Sequence, residues 1–306
     1  MEDARRRIAA ALGWTGTIVF TSGATEALEI VLRRARAGAR IVSAVEHPAV
    51  LRTVPEARRI AVRSDGTLDL ADLDSALGEG ALVAVQSVNN ETGVIHPLAE
   101  IAQRVRARGG LLLADCAQSA GKLPLPEADF AVVAAHKLGG PPGIGALLVR
   151  DPATLEAVGG QEGGHRPGTA AVPMILGFAA ALEADHGWYA EAQRLRAKLD
   201  EAVAAAGGIV VAEAAPRIAT IACYRMPGVP AAAQMMQLDL AGIAVSAGSA
   251  CSSGSLKTSH VLTAMGMDEE SAREVIRVSF GPATSEAEID ALVAEWRKLY
   301  ERRRAA

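Results

Sequence analysis

Between residues 18 and 149 the chain alternates short, nearly continuous apolar runs with amphipathic stretches. The apolar runs predict strands at 18–21, 40–44, 60–62, 81–88, 111–114, 130–134 and 145–149. Apolar positions recurring every three to four residues predict helices at 3–12, 24–37 and 98–108. Strands with no polar face, separated by helices, imply an α/β domain with a mostly parallel, seven-stranded type of sheet covered on both sides. Ligands of such sheets bind at the carboxyl ends of the strands. Thr21, Glu46, Asn89, Asp115 and Lys137 each follow a predicted strand end, so they are expected to converge on one crevice. After Pro173 the pattern changes. A helix at 173–185 leads to a charged helical stretch from 188 to 206, then to strands near 209–212, 218–224, 243–246 and 276–280, and a last helix at 285–303. This predicts a large domain over 1–187 and a smaller C-terminal α+β domain over 188–306.

Composition narrows the function classes. The 306 residues suffice for two domains, half are hydrophobic, and the net charge is −4. That charge gives no electrostatic case for nucleic acid as a partner. No apolar run approaches membrane-spanning length, and the basic cluster Arg5-Arg6-Arg7 is not followed by a cleavage-site pattern, so neither a membrane nor a signal peptide is expected. Three cysteines without CxxC or His/Cys spacing point to no metal and to a reducing, cytoplasmic setting. Cys116 and Cys223 lie in strand contexts and read as core. Cys251 lies in a Ser/Gly-rich loop, where a thiol is open to solvent and ligand.

Candidate chemistry gathers at the strand ends. Lys137 follows an apolar run and precedes a Gly/Pro-rich turn. A lysine there is expected to be half desolvated, which lowers its pKa and frees the amine for Schiff-base chemistry; the plainer alternative is a surface lysine. Gly23 and Ala24 sit where a strand turns into a helix, whose first N–H groups form a phosphate site, although Ser22 or Thr25 acting as an ordinary cap would account for the same string. Asp115 is placed either to pair with a protonated pyridine nitrogen or to cap the next segment. His47 either stacks on a planar ring or is a loop histidine. Arg277, in a strand-like run, either meets a substrate carboxylate or faces solvent from an edge strand.

As a set, these strings resemble the cysteine desulfurases, in the class V aminotransferase-like group of fold-type I pyridoxal-phosphate enzymes. The strings are FTSGATE (20–26), Glu46-His47, VNNETG (88–93), DCAQSAGK (115–122), 136–149, GGQEGGHRPGT (159–169), SAGSACSS (246–253) and SHVLTAMG (259–266). They occur in family order over nearly the whole chain. The resemblance implies pyridoxal 5′-phosphate as cofactor, L-cysteine as substrate, a homodimer, and a sulfur-acceptor protein such as an iron–sulfur scaffold. It implies Lys137 as the lysine bearing the cofactor, Asp115 at the ring nitrogen and Gln118 at the ring hydroxyl. His47 would lie on the ring, and Thr25 and His136 at the phosphate, with Thr169 reaching the phosphate of the other subunit and Arg166 completing that site. Asn90 and Arg277 would hold the substrate carboxylate and Cys251 would accept the sulfur. A selenocysteine lyase, another enzyme of the group, or a silent dimeric homologue fits the same strings. The chain departs from the family pattern in three places. It opens directly in the helix at 3–12 without the family's preceding segment, Ala134 stands at a usual serine, and Gly163 at a usual arginine.

Overall fold

A computed structural model describes residues 1–185, 187–248 and 258–305. They form two compact units. Unit 1 comprises Met1–Ala61, Leu68–Asn89 and His96–Asp185; unit 2 comprises Val62–Thr67, Asn90–Ile95 and His186–Ala306. The short segments 62–67 and 90–95 thus belong with the C-terminal part of the chain, which hydropathy alone does not reveal. No described helix is long and apolar enough to cross a membrane.

Unit 1 is built on a seven-stranded sheet. Its strands are β1 (Thr17–Thr21), β2 (Arg40–Ser43), β3 (Arg58–Ile60), β4 (Leu82–Gln86), β5 (Leu111–Asp115), β6 (Phe130–Ala134) and β7 (Gly145–Val149), in the spatial order β1-β7-β6-β5-β4-β2-β3. Pairing is parallel from β6 to β3, and β7 runs antiparallel to both β1 and β6. Six strands therefore share one direction and end at one edge. Every residue of β4, β6 and β7 is buried, which is why these strands lack polar alternation. Helix α2 (Ala24–Arg34) lays Ala27, Leu28, Val31 and Leu32 on one sheet face, against Val42, Leu113, Val132 and Leu147. Helices α1 (Glu2–Leu12) and α6 (Val172–Glu183) pack on each other, and α6 buries Ile175, Phe178, Ala179 and Leu182. Short helices α3 (Pro48–Thr53) and α4 (Leu70–Ala76), not expected from periodicity, fill connections beside α5 (Leu98–Arg106). Two turns or fewer carry too few apolar positions to show a helical period.

In unit 2 a four-stranded antiparallel sheet has the order β10-β11-β9-β8, with β8 (Ile209–Val210), β9 (Ile221–Arg225), β10 (Ser246–Ala247) and β11 (Val275–Ser279). Helices α7 (Trp188–Ala205), α8 (Ala231–Leu240), α9 (His260–Ala264), α10 (Glu269–Ala272) and α11 (Glu286–Ala305) accompany it. Its core centres on Trp296, whose ring meets Tyr224 edge-on at 6.3 Å. Segment 90–95 reaches this unit through Gly93, at φ 77°, where an added Cβ would lie 2.5 Å from the Ile221 carbonyl oxygen.

One close approach fixes the strand ends of unit 1. A Cβ at Gly145 would lie 2.6 Å from the Val133 oxygen and 2.8 Å from the Gly23 Cα. Gly145→Ala is expected to cost about 2 kcal/mol of unfolding free energy by displacing the turn at Gly23. Urea denaturation of the variant, with the unfolding slope unchanged, checks this.

Candidate active site

The shared edge of the six co-directional strands carries the candidate residues of unit 1. After β1, Gly23 (φ 151°) turns the chain into α2. Neither Ser22 nor Thr25 caps this helix with its side chain; the Glu26 carboxylate instead accepts the Ser22 N–H, and Arg166 neutralises Glu26 at 2.8 Å. Thr25 is exposed and Ala24 half-buried at the first turn, whose N–H groups have no intrahelical acceptor. Arg166, implied to complete the other subunit's phosphate site, makes its ion pair within its own chain.

After β2, Glu46 is fully buried and His47 half-buried. His47 caps α3, its Nδ1 accepting the Ala49 N–H at 3.1 Å, so the neutral ring carries its proton on Nε2. Glu46 Oε1 accepts the Gln86 N–H at 2.9 Å. Burial holds Glu46 well above the usual carboxylate range, and the charge of Asp115 raises it further. Gln86 is the register partner of Asp115 across β4 and β5, so the two buried carboxyl groups flank the same rung.

Asp115 ends β5 with its Oδ1 accepting the Ala117 N–H at 2.9 Å, a local turn rather than a helix cap. Burial pushes it up to about 6, against the opposing effects of that N–H and of the Lys137 charge. Lys137 lies on the neighbouring strand's extension, closing a three-residue 3₁₀ turn after β6. It is exposed, as is His136, so the expected half-desolvation is not provided within this chain. A sequence window shows a strand end but not how deep it lies. The desolvated lysine is Lys122. Its Nζ donates to the Gln118 carbonyl at 3.1 Å, and burial, then the Lys137 charge, pushes it down to about 8. His136 is lowered by burial and by Lys137. Gln118 is half-buried.

Thr169 is exposed in a loop that is firmly anchored upstream. Glu162, 1% exposed in its side chain, accepts from Arg5 at 2.9 and 3.1 Å and from the Phe20 N–H at 2.8 Å, while the Arg5 guanidinium lies 4.6 Å over the Phe20 ring. Glu162 holds φ at 54°, an uncommon conformation for a side-chain-bearing residue, secured by this buried pair. Sequence reasoning placed Glu46 at a strand end without giving it a role, and it gave none to Glu26, Lys122, Arg5 or Glu162. Only Glu46, beside His47 after a strand, carried a local signal; the others depend on partners up to 157 residues away.

In unit 2, Arg277 lies on β11, between β10 and β9, with Ser246 and Cys223 as register partners. It is therefore not on an edge strand. It is half-buried, Nη1 donates to the Asn90 main-chain oxygen at 3.1 Å, and Nε is buried with no acceptor among the described residues. The Asn90 side chain is half-buried beside it in sequence segment 90–95. Cys251 lies outside the described residues. Cys116 and Cys223 are buried, and burial pushes both thiols up to about 12; the Cys223 Sγ donates to the Glu91 carbonyl at 2.9 Å.

A seven-stranded, mostly parallel sheet with a lysine and a buried carboxylate at adjacent strand ends defines an α/β enzyme of the aminotransferase type. The chain belongs to the aminotransferase class-V family, whose model matches residues 1–292. It is 38% identical over 329 residues to the cysteine desulfurase IscS of Anaeromyxobacter sp., covering 96% of this chain and 80% of the relative. It is 36% identical to a cysteine desulfurase of Nostoc sp., over 100% of this chain and 83% of the relative. The NifS-like protein from Rickettsia africae superposes with a TM-score of 0.89 at 28% identity, over 98% of this chain and 87% of that one.

The raised pKa of Asp115 has a defined consequence for stability. Its folded value of about 6 exceeds the ordinary 3.8, so the folded chain binds the extra proton between these values and loses stability as pH rises through them. Asp115→Asn is expected to stabilise the cofactor-free protein at pH 8 by up to about 3 kcal/mol and to have no such effect below about pH 4. Thermal denaturation of both proteins across that range is the check.

Proposed function

We propose that the protein is a pyridoxal-phosphate-dependent cysteine desulfurase, converting L-cysteine to L-alanine and passing the sulfur, as a persulfide, to an acceptor protein. The supporting observation is the pair Asp115 and Lys137, at the same edge of adjacent parallel strands and close enough for the lysine charge to act on the carboxylate. The site fits the cofactor. A buried carboxylate pushed up to about 6 is stabilised by a cation against it, and a protonated ring nitrogen is such a cation. The half-open first turn of α2 behind Gly23 suits a phosphate group. When bound, the cofactor supplies an electron sink for the pair left by a broken Cα–H bond.

The residues divide the remaining work. Lys137 Nζ would hold the cofactor aldehyde and, once released, would take the proton from the substrate Cα. Asp115 would keep the ring nitrogen protonated, Gln118 would bond the ring hydroxyl, and His47, with its proton on Nε2, would lie on the ring. Gly23 and Ala24 N–H groups, Thr25 and His136 bind the phosphate. Asn90 and Arg277 would grip the substrate carboxylate; the Nε of Arg277, buried with no acceptor among the described residues, is a donor suited to it. The Cys251 thiolate attacks the substrate sulfur and an S–S bond forms. The C–S bond breaks with its electron pair on Cβ; a proton added there and the return of the Cα proton from Lys137 complete alanine. Cys251 then holds the sulfur for the acceptor.

The enzyme works as a homodimer in which Thr169 serves the neighbouring subunit's phosphate. Val158, Val172, Met174 and Leu176, exposed by 52, 38, 38 and 44%, bracket Thr169 on the loop and on α6, an apolar face suited to a second copy of the chain. Leu176→Arg is expected to weaken the dimer about tenfold or more. Sedimentation over a concentration series reads this, and a wild-type monomer that binds the cofactor tightly would contradict the dimer.

Lys137→Ala is expected to lose the borohydride-fixed cofactor and to slow alanine release about 10³-fold or more. A variant that still yields a cofactor adduct on reduction would overturn the assignment. The two buried thiols are inert at pH 8. Alkylation of the native protein should label one cysteine per chain, and none in Cys251→Ser, which also gains no sulfur mass from L-cysteine.

A further inference from the structure

A second cluster of buried charge lies in unit 2 and takes no part in the chemistry above. Arg196 and Asp200 stand one turn apart on α7, and Arg217 lies in the segment before β9. The two arginine side chains are 8 and 9% exposed. Asp200 is shared three ways: Oδ2 accepts from Arg196 Nη2 at 3.3 Å and Arg217 Nη2 at 3.2 Å, and Oδ1 accepts from the Tyr224 hydroxyl at 2.7 Å. Arg196 Nη1 donates to the Ile218 carbonyl at 3.0 Å. Arg196 Nε and Arg217 Nη1 are buried donors without an acceptor among the described residues.

Two guanidinium groups thus meet one carboxylate, so the hydrogen-bonded cluster carries a net positive charge in a sheltered place. Burial, together with repulsion from Arg196, lowers Arg217 from its usual value. Such an imbalance is costly unless a further anion restores it. Room for one exists. A cleft of about 210 Å³ opens over the cluster, lined by Gln193, Arg196, Ala197, Asp200, Arg217 and small alanine side chains. Guanidinium groups from two separate chain segments suit an anion whose oxygens lie in more than one plane.

We propose that this cleft is an anion site for a small tetrahedral oxyanion of the phosphate or sulfate class, held between Arg196 and Arg217. Titrating inorganic phosphate into the holoenzyme, whose own cofactor phosphate fills the α2 site, tests it by calorimetry. Saturable binding is expected at one site per chain. It should weaken about tenfold or more in Arg217→Gln, less in Arg217→Lys, and persist in Arg277→Gln. Absence of saturable binding, binding undiminished in Arg217→Gln, or binding lost only in Arg277→Gln would each overturn the proposal. Should Arg217→Gln fail to fold, crystals of the unmodified holoenzyme grown with selenate decide. Anomalous density between the two guanidinium groups is expected, and its absence overturns the site.

Discussion

The common direction of six strands in the large sheet is the constraint on which the site depends. Parallel strands end together, so chemistry-bearing residues as far apart in sequence as Gly23, His47, Asp115 and Lys137 are delivered to one edge. The exception, β7, starts at that edge instead, and its first residue is glycine because the Gly23 turn passes within van der Waals contact of it. The backbone of β7 is thus part of the floor under the α2 turn. The parallel sheet also explains the composition, since strands covered on both faces need apolar residues throughout.

Electrostatics at that edge is arranged by burial more than by pairing. Glu46 and Asp115 flank one rung of the sheet, and burial raises both above the ordinary carboxylate range. Glu46 is raised further by Asp115, so the pair prefers a single negative charge. That charge falls on Asp115, on which the Lys137 charge acts; in the proposed cofactor complex a cationic ring nitrogen would stabilise it there. That proposed role would link cofactor binding to folding stability at this residue: the feature that destabilises the empty chain at neutral pH would strengthen the bound one.

The 159–169 loop shows a different use of charge. Arg5 and Arg166 each pair with a glutamate, one pair tying the loop to α1, the other to the start of α2. Glu162 also satisfies the Phe20 N–H on the exposed edge of the sheet, which blunts that edge as well as fixing the loop. A glycine-rich segment that would otherwise have many conformations is thereby held in one, at the cost of a left-handed backbone at Glu162.

Six of the seven strands of unit 1 were legible in the sequence, β6 and β7 to the residue, because buried strands leave uninterrupted apolar runs; β3, expected at 60–62, lies at Arg58–Ile60, where two exposed arginines hide it. The order of motifs likewise carried the family, since each motif is a local string between one element and the next. The short helices α3 and α4 were not legible, being too brief for a period. Nor was the membership of 62–67 and 90–95 in unit 2, because the approach of Gly93 to Ile221 and of Gly66 to Val94 and Met265 leaves no mark on their own hydropathy. Sequence placed Lys137 at a strand end but not at the surface, and gave Lys122 no sign of its burial. Depth, pKa and ion pairing over long chain separations are properties of the packed fold. The sequence by itself determined which residues stand at which strand ends; only the tertiary structure decided which of them are desolvated and what each one faces.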